Sequence, residues 1–213
     1  VEKGSVFVCI SGAVSDGHQY AADVAAKGAA AVVVEKDVEV PEDVTVIRVE
    51  DTRYALALMS AAYFGYPADK MKIIGITGTK GKTTTTYMIK SILEETGHKV
   101  GLIGTIEAII GDKKIPASNT TPESYTIHKY FAEMAEAGCD CVVMEVSSQS
   151  LKLGRVDGCE FEIGIFTNFS KDHISPKEHP DMEDYFNSKL KLFEMCDTGF
   201  VNVDDFNTYK VKS

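Results

Sequence analysis

A glycine-rich segment that runs into lysine and threonine is the part of the sequence that most directly suggests chemistry. Residues 75–86 read GITGTKGKTTTT. In loops of this kind, backbone N–H groups cradle phosphates, the lysine reaches the outermost phosphates, and the threonine hydroxyl reaches Mg²⁺. The usual spacing G-x-x-x-x-G-K-[ST] requires a glycine where the chain has Ile76. The segment therefore predicts a nucleotide-phosphate site with unusual glycine spacing. The residues of this predicted site are Gly78, Thr79, Lys80, Gly81, Lys82, Thr83 and Thr84.

Two further polar residues lie at or after apolar strand candidates. Glu145 is an acid within the apolar run CVVMEV. A buried, unpaired carboxylate is costly, so we expect Glu145 to meet a cation, either Mg²⁺ at the phosphate loop or a lysine or arginine in a structural ion pair. His173 follows a strand candidate that ends at Thr167 and Asn168. We interpret the other four histidines as ordinary solvated residues.

Lys189 is an unexpected cation on an apolar helix face. On a helical wheel of about 100° per residue, it falls within the apolar arc of EDYFNSKLKLFEM, whereas Lys191 lies opposite. A lysine on such a face either extends its amine outward to solvent or is held neutral with a lowered pKa and used chemically. The arc consists of Tyr185, Phe186, Leu190, Leu192 and Phe193.

Alternating strands and helices must position these residues. The strand candidates are KIIGIT, KVGLIG, CVVMEV, EIGIFTN and GFVNV, and the helix candidates are KTTTTYMIKSILEETG, ESYTIHKYFAEMAEAG and MEDYFNSKLKLFEM. This order predicts an α/β fold with a mostly parallel sheet covered by helices on both faces. A hairpin is expected around Gly111. Because ligands bind at the carboxyl ends of such strands, the candidate residues are expected at one edge of the sheet.

The first 66 residues predict a smaller α/β unit with a helix over HQYAADVAAKGA, residues 18–29, and Gly65-Tyr66-Pro67 breaks the pattern. We therefore predict two domains, residues 1–67 and 68–213. The chain starts with Val1 and stops in the polar run NTYKVKS. We expect the first domain to be incomplete at its start and the second at its end.

The overall composition argues against several classes of protein. The 213 residues carry 22 basic and 32 acidic side chains, a net charge of −10, which disfavours a nucleic-acid-binding surface. No apolar run reaches the ~18 residues of a membrane span. Five cysteines without C-x-x-C spacing indicate reduced thiols in a cytoplasmic protein.

Five segments together resemble the Mur ligase family, the ATP-dependent amide ligases of bacterial peptidoglycan precursor synthesis, and within it the MurE type. They are TGTKGKTT, NTTPES, MEVSSQSLKLGRV, FTNFSKDH and YFNSKLKLF. The family's loop, T-G-T-N-G-K-[ST]-[ST], has the glycine spacing found here, with Lys80 in place of its asparagine. The N-terminal D-G-x-x-[FY] segment at Asp16 to Tyr20 is similar to the family's uridine-binding domain.

The resemblance implies roles for individual residues. One Mg²⁺ would be bound by Thr83 and Glu145, and a second ion by His173 and a carbamate formed from CO₂ on Lys189. These three ionisable residues and Lys82 would be the catalytic group. The uracil–ribose end would lie against Ala13, Val14 and Ser15. The residues implied to hold the muramoyl-peptide are Asn119, Thr120, Thr121, Ser147 and Arg155.

The implied reaction is amide formation. ATP would phosphorylate the free carboxylate of UDP-N-acetylmuramoyl-L-alanyl-D-glutamate, and the amine of meso-diaminopimelate or L-lysine would displace the phosphate. We expect a monomer that binds these partners but, without the family's C-terminal domain, turns over poorly. The alternatives are a folylpolyglutamate synthase-like ligase, whose loop usually ends in G-K-G-S, and a non-catalytic nucleotide-binding relative. A GTPase is disfavoured because no N-K-x-D segment is present.

Overall fold

The computed structural model describes residues 1–12, 15–176 and 178–205, and it divides the chain into two compact units. The first unit is Val1–Leu56 and the second is Ala57–Ser213. The division falls inside a helix, α2 (Thr52–Tyr63), eleven residues before the boundary predicted at position 67.

The first unit contains a three-stranded parallel sheet in the order β1-β2-β3. The helix predicted over residues 18–29 is shorter and begins as a 3₁₀ turn, because the Asp16 side chain accepts a hydrogen bond from the His18 N–H at the start of the turn. The helix ends before Gly28, whose φ of 95° is disfavoured for other residues. The elements are β1 (Val6–Val8), the 3₁₀ turn (Gly17–Tyr20), α1 (Ala21–Ala26), β2 (Ala31–Val34) and β3 (Thr45–Arg48).

The second unit is built on a seven-stranded sheet in the order β10-β9-β4-β8-β5-β6-β7. Its strands are β4 (Lys72–Thr77), β5 (Val100–Ile103), β6 (Glu107–Ile110), β7 (Lys113–Pro116), β8 (Cys141–Glu145), β9 (Phe161–Phe166) and β10 (Cys196–Val201). Its helices are α3 (Lys82–Glu95), α4 (Ser124–Glu136), α5 (Ser148–Lys152) and α6 (Met182–Glu194), and a 3₁₀ turn (Pro67–Lys70) precedes β4.

The central strand β4 is apolar on both sides because helices cover both faces of the sheet. Ile74 and Ile76 belong to a buried cluster with Ile89 of α3. Ile73 belongs to the opposite cluster, which contains Phe131 of α4 and Leu192 of α6. The mostly parallel sheet with helices on both faces is therefore confirmed, and it explains why the strand candidates are continuously apolar.

Strand pairing places the carboxyl ends of β9, β4 and β8 side by side. Ile76 pairs with Glu145 of β8, and Thr77 pairs with Phe166 of β9, all in parallel register. The expected hairpin is formed by β6 and β7, which pair antiparallel, with Gly111 at a φ of 57° in its turn. Strands β8 and β9, which follow one another along the chain, lie on opposite sides of β4. The loop that follows β4 therefore occupies the position where α/β sheets bind ligands.

The cysteines and the helices agree with the composition. All five cysteines are free, and four of them are buried. Among the residues that the structure describes, no helix has the length and apolar character needed to cross a membrane.

His128, which was expected to be solvated, is instead fully buried in α4, and we predict that the stability of this unit depends on it. Burial lowers the pKa of His128. The neutral ring is therefore favoured in the fold, and its contribution is complete above the unfolded pKa of about 6.5 and lost as the pH falls.

Urea unfolding between about pH 7.5 and 5.5 tests this, because that interval spans the unfolded pKa. The free energy of unfolding of the wild-type chain should decrease more steeply toward low pH than that of His128→Leu. Equal slopes for the two proteins would contradict the prediction.

Candidate functional site

The phosphate-loop candidate connects the end of β4 to the first residue of α3. Gly81 precedes the helix with a φ of 83°, and Gly78 has a φ of 141°. A Cβ atom on Gly78 would lie 2.0 Å from the hydroxyl oxygen of Thr167. The unusual spacing of the glycines therefore has a physical reason. Gly78 leaves room for Thr167 after the neighbouring strand, and Gly81 adopts the positive φ that precedes the helix.

The segment that follows β9 holds the loop in place. The Thr79 N–H donates to the Asn168 carbonyl at 2.9 Å, and the Lys80 N–H donates to the Asn168 side-chain oxygen at 2.9 Å. The Lys80 carbonyl in turn accepts from the Thr167 hydroxyl at 2.8 Å and from the Asn168 amide at 2.9 Å. The adjacent strand end thus holds the loop through four hydrogen bonds.

Lys80, the residue that departs from the family's asparagine, is paired with an acid. Its Nζ lies 2.9 Å from Asp172 Oδ2, and its side chain is 75% exposed. The hydrogen bond with Lys80 lowers the pKa of Asp172. The additional positive charge of Lys80 is therefore offset by the carboxylate of Asp172.

Two lysine amines converge on a single backbone carbonyl of the loop. Lys82 Nζ and Lys189 Nζ each donate to the Gly78 carbonyl at 2.9 Å, and Lys82 also donates to the Thr79 carbonyl at 3.2 Å. Burial lowers the pKa of Lys82. Burial, followed by the positive charge of Lys82, lowers the pKa of Lys189 to about 6. Near neutral pH, Lys189 is therefore largely an uncharged amine.

Lys189 is enclosed by the fold, which is the second of the two alternatives that its place on the apolar arc left open. It is 1% exposed, and its Nζ lies 4.5 Å from the centre of the Tyr185 ring, whereas Lys191 is exposed. His173 lies by the same aromatic ring at 5.8 Å between centroids, but its Nδ1 contacts Glu178 Oε1 at 3.1 Å. The structure brings His173 and Lys189 around one tyrosine without pairing them.

Glu145 lies at the end of β8 facing the start of α3. It is 1% exposed, and its Oε2 accepts from the hydroxyl groups of Thr83 and Thr105, each at 3.0 Å. Its Oε1 accepts from the Thr105 N–H at 2.9 Å. Within the described ranges, the donors to this carboxylate are neutral. A buried carboxylate beside a hydroxyl oxygen fits Mg²⁺, which binds hard oxygen ligands.

The segment assigned to the muramoyl-peptide is attached to the same strand end. The Thr121 hydroxyl donates to the Glu145 carbonyl at 2.9 Å and accepts from the Ser147 N–H at 3.0 Å. Arg155 donates from Nη1 to the Thr121 carbonyl at 3.3 Å, and its Nε lies 2.9 Å from Glu123 Oε1. Thr121 therefore contacts Glu145 directly, Ser147 and Arg155 contact Thr121, and Thr120 is the neighbour of Thr121 in the chain.

Asn119, the fifth of these residues, is exposed and lines a cavity of about 170 Å³ between the β6–β7 hairpin and α4. Thr84 is exposed on the first turn of α3. Ser15 lies in the first unit, where it is exposed and its carbonyl accepts from the Gly12 N–H at 2.9 Å. Ala13 and Val14 lie outside the described residues.

Sequence reasoning did not find three residues that contact this site. They are Thr105, Asp172 and Tyr185. Thr105 directly follows the end of a predicted strand, KVGLIG, and that position was the available signal. Tyr185 was identified only as part of the apolar arc, although its hydroxyl lies 3.3 Å from the Thr79 hydroxyl. Nothing in the local sequence marks Asp172 as the partner of Lys80.

Comparison with protein families identifies both units. Residues 76–213 match the model described as "Mur ligase middle domain", and residues 1–64 match "Mur ligase family, catalytic domain". Together the two models account for nearly the whole chain.

Individual relatives extend this comparison. The chain is 54% identical over 205 residues to the UDP-N-acetylmuramoyl-L-alanyl-D-glutamate–2,6-diaminopimelate ligase of Clostridium perfringens, covering 96% of this chain and 42% of the relative. A solved structure of a ligase with the same name matches with a TM-score of 0.85 and 25% identity, over 100% of this chain and 43% of that one. The chain thus spans about two fifths of the length of the relatives it matches.

A solved folylpolyglutamate synthase from Mycobacterium tuberculosis, complexed with ADP and AMPPCP, is a more distant match. Its TM-score is 0.52 at 17% identity, covering 65% of this chain and 38% of that one. This likeness concerns the fold alone.

We predict that Gly78→Ala weakens nucleotide binding. Its Cβ would collide with Thr167, which holds the loop, so we expect the affinity for a fluorescent ATP analogue to fall by at least about tenfold.

Gly97→Ala is the matched control. Gly97 also has a positive φ, of 93°, but nothing lies within 4 Å of where its Cβ would be. This variant should lose stability on thermal unfolding and keep the wild-type nucleotide affinity. Equal affinity for both variants would exclude the steric role of Gly78.

Proposed function

Because the chain belongs to the Mur ligase family, we propose that it supplies the ATP-handling and acceptor-binding parts of an amide ligase. The proposed reaction joins 2,6-diaminopimelate to UDP-N-acetylmuramoyl-L-alanyl-D-glutamate, with ATP as the energy source. The choice of diaminopimelate rests on the similarity to relatives that are named as 2,6-diaminopimelate ligases. The choice of ATP rests on the loop that precedes α3.

The observation that carries the proposal is the position and charge state of Lys189. Its buried amine lies 2.9 Å from a carbonyl of the phosphate loop and has a pKa lowered to about 6. A generic nucleotide-binding loop does not require a second, uncharged lysine. A neutral amine reacts with CO₂ to form a carbamate, which converts a cation into an anionic ligand. The site is thereby suited to a second metal ion near the transferred phosphate.

The first metal position consists of Thr83 and Glu145. Mg²⁺ bound there would neutralise charge on the ATP phosphates. Lys82 would leave the carbonyls of Gly78 and Thr79 and donate to the outer phosphates. The backbone N–H groups of the loop and the start of α3 would add their partial positive charge. These residues stabilise charge and position the reactants without forming a covalent bond to them.

The second position would be formed by the carbamate of Lys189 and by His173. The two residues lie around the Tyr185 ring, and His173 now contacts Glu178. We infer that His173 exchanges this carboxylate partner for the metal when the site is loaded. His173 has a positive φ of 55°, a backbone conformation that is uncommon for residues other than glycine.

The acceptor would be held by the residues next to Glu145. An oxygen of the D-glutamyl carboxylate attacks the γ-phosphorus of ATP, and the bond to the leaving ADP oxygen breaks. The amine of diaminopimelate then attacks the acyl carbon, loses a proton and expels phosphate, which leaves an amide. Positioning and charge neutralisation supply the catalysis. The proposed acceptor residues are Asn119, Thr120, Thr121, Ser147 and Arg155.

The first unit is proposed to bind the uridine end of the acceptor through Ala13, Val14 and Ser15. The proposed domain boundary remains at residues 67 and 68, where Pro67 starts a 3₁₀ turn before β4. Since relatives are more than twice as long as this chain, activity is assigned to the whole protein.

A folylpolyglutamate synthase-like activity is the second candidate. It would use the same acyl-phosphate chemistry on a folate. The segment GKTT in place of G-K-G-S and the D-G-x-x-[FY] segment of the first unit favour the muramoyl acceptor.

We predict saturable binding of UDP-N-acetylmuramoyl-L-alanyl-D-glutamate by calorimetry, and weaker binding by Arg155→Ala. Arg155 holds the Thr121 carbonyl and carries a charge suited to a carboxylate, so its loss should reduce affinity about 10- to 100-fold. Lys72→Ala is the control. Lys72 pairs with Glu162 at the opposite end of β4 and should not affect binding.

A parallel titration with a folate separates the two candidates. Folate binding without binding of the muramoyl-dipeptide would overturn the proposed function.

We also predict a carbamate on Lys189. With carbon-13-labelled bicarbonate, the wild-type chain should show a carbamate signal by NMR that grows as the pH rises above about 6, since the neutral amine is the reactive form. Lys189→Ala should lose the signal, and Lys191→Ala, which removes an exposed lysine on the same helix, should keep it. The same spectrum from Lys189→Ala would exclude the assignment.

A further inference from the structure

We propose that Thr105 is a positioning residue, which orients the Glu145 carboxylate and connects it to the acceptor-binding segment. The inference deepens the proposed function and rests on it. Thr105 lies in the connection between β5 and β6. It directly follows the predicted strand KVGLIG, and the fold brings it to the carboxylate of Glu145.

Thr105 holds both oxygens of the carboxylate. Its N–H donates to Glu145 Oε1 at 2.9 Å, and its hydroxyl donates to Oε2 at 3.0 Å. Two donors from one residue, one on each oxygen, define the plane of the carboxylate group. The Thr83 hydroxyl also reaches Oε2, at 3.0 Å, so the oxygen that faces the phosphate loop is the one that Thr105 fixes through its side chain.

The backbone around Thr105 is shaped to the carboxylate. A Cβ atom on Gly104 would lie 2.5 Å from Glu145 Oε1, so only glycine leaves room at that position. The Gly104 N–H donates to the Glu107 carbonyl at 3.1 Å, and Ile103 pairs with Ala108. These contacts hold the short β5–β6 connection in place, so the Thr105 N–H lies at a defined position beside Glu145.

Thr105 also contacts the segment assigned to the acceptor. Its hydroxyl oxygen lies 3.1 Å from that of Thr120. An ionised carboxylate only accepts hydrogen bonds, so the single proton of the Thr105 hydroxyl is directed to Glu145. Thr120 must therefore be the donor to Thr105. The result is a directed chain of hydrogen bonds from Thr120 through Thr105 to Glu145.

A second hydrogen bond also connects the acceptor segment to Glu145. The Thr121 hydroxyl donates to the backbone carbonyl of Glu145 at 2.9 Å. The acceptor segment thus contacts Glu145 through both its backbone and, by way of Thr105, its carboxylate. A change in the orientation of the carboxylate, such as metal binding would impose, is transmitted to the position of Thr120.

Two consequences follow for ligand binding. Hydrogen bonds that orient a metal-binding side chain commonly change metal affinity by about 10- to 100-fold when removed. Coupling between two ligands is also reciprocal, so a metal–nucleotide complex that improves acceptor binding is itself bound better when acceptor is present. Thr105 is expected to contribute to both effects.

The first measurement is the affinity for Mn²⁺ in the presence of a non-hydrolysable ATP analogue, by electron paramagnetic resonance. Thr105→Val keeps the shape and removes the hydroxyl, so we expect about tenfold weaker Mn²⁺ binding. Thr105→Ser keeps the hydroxyl and should remain within about twofold of wild type. Thr96→Val is the matched control, because the Thr96 hydroxyl donates to the carbonyls of Ile92 and Leu93 at the end of α3.

The second measurement is acceptor affinity with and without Mn²⁺ and the nucleotide analogue, by calorimetry. In the wild-type chain the metal–nucleotide complex should improve acceptor binding, and in Thr105→Val this improvement should be lost. Thr120→Val removes the donor to Thr105 and leaves the bonds to Glu145. Thr120→Val should keep the wild-type Mn²⁺ affinity, but the metal–nucleotide complex should no longer improve its acceptor binding.

Unchanged Mn²⁺ affinity in Thr105→Val, or an equal loss in Thr105→Ser, would overturn the role of Thr105. If the valine variant does not fold, as judged by circular dichroism, Thr105→Ala replaces it in both measurements. Wild-type chain that binds Mn²⁺ and nucleotide but no muramoyl acceptor would refute the proposed function. The Mn²⁺ measurement would still decide whether Thr105 orients Glu145, so the two failures are distinguishable.

Discussion

The burial of one carboxylate is the constraint on which the site depends. Glu145 ends a strand that is covered on both faces, and it is almost completely removed from solvent. Such a group must be satisfied by hydrogen bonds or a cation. The start of α3 and the β5–β6 connection provide donors to the carboxylate, and the acceptor segment donates to the backbone carbonyl of the same residue. Glu145 thereby connects the phosphate loop with the proposed acceptor site.

The phosphate loop is subject to a second constraint, the desolvation of two lysines. Lys82 and Lys189 donate to the same carbonyl oxygen, and burial lowers the pKa of each. Two like charges so close together in a buried site are unfavourable, and the pKa of the more deeply enclosed Lys189 is lowered to about 6. The fold thus gives two residues of one type different degrees of burial and different proposed roles.

Much of the architecture was predictable because local patterns are strong in a doubly covered sheet. The strand over KIIGIT and the helices on either side of the site follow from continuous apolar runs and helical periodicity. The place of Lys189 on the apolar arc left open whether its amine reaches solvent, and the fold buries it. The helix over residues 18–29 was predicted too long, because a side-chain cap at Asp16 and a glycine at position 28 overrode the apolar pattern. The short helix α5 has too few residues to show a period.

The sequence by itself determined the family, the glycine spacing of the loop and the identity of the ionisable residues, since each depends on residue types within a short segment. Only the tertiary structure decided which of these residues meet. Thr105, Thr120 and Glu145 are separated by 15 to 40 positions along the chain and come into contact because strand order and register place β5 beside β8. Likewise, His173 lies near Lys189 but bonds to Glu178, a choice of partner made by packing around Tyr185.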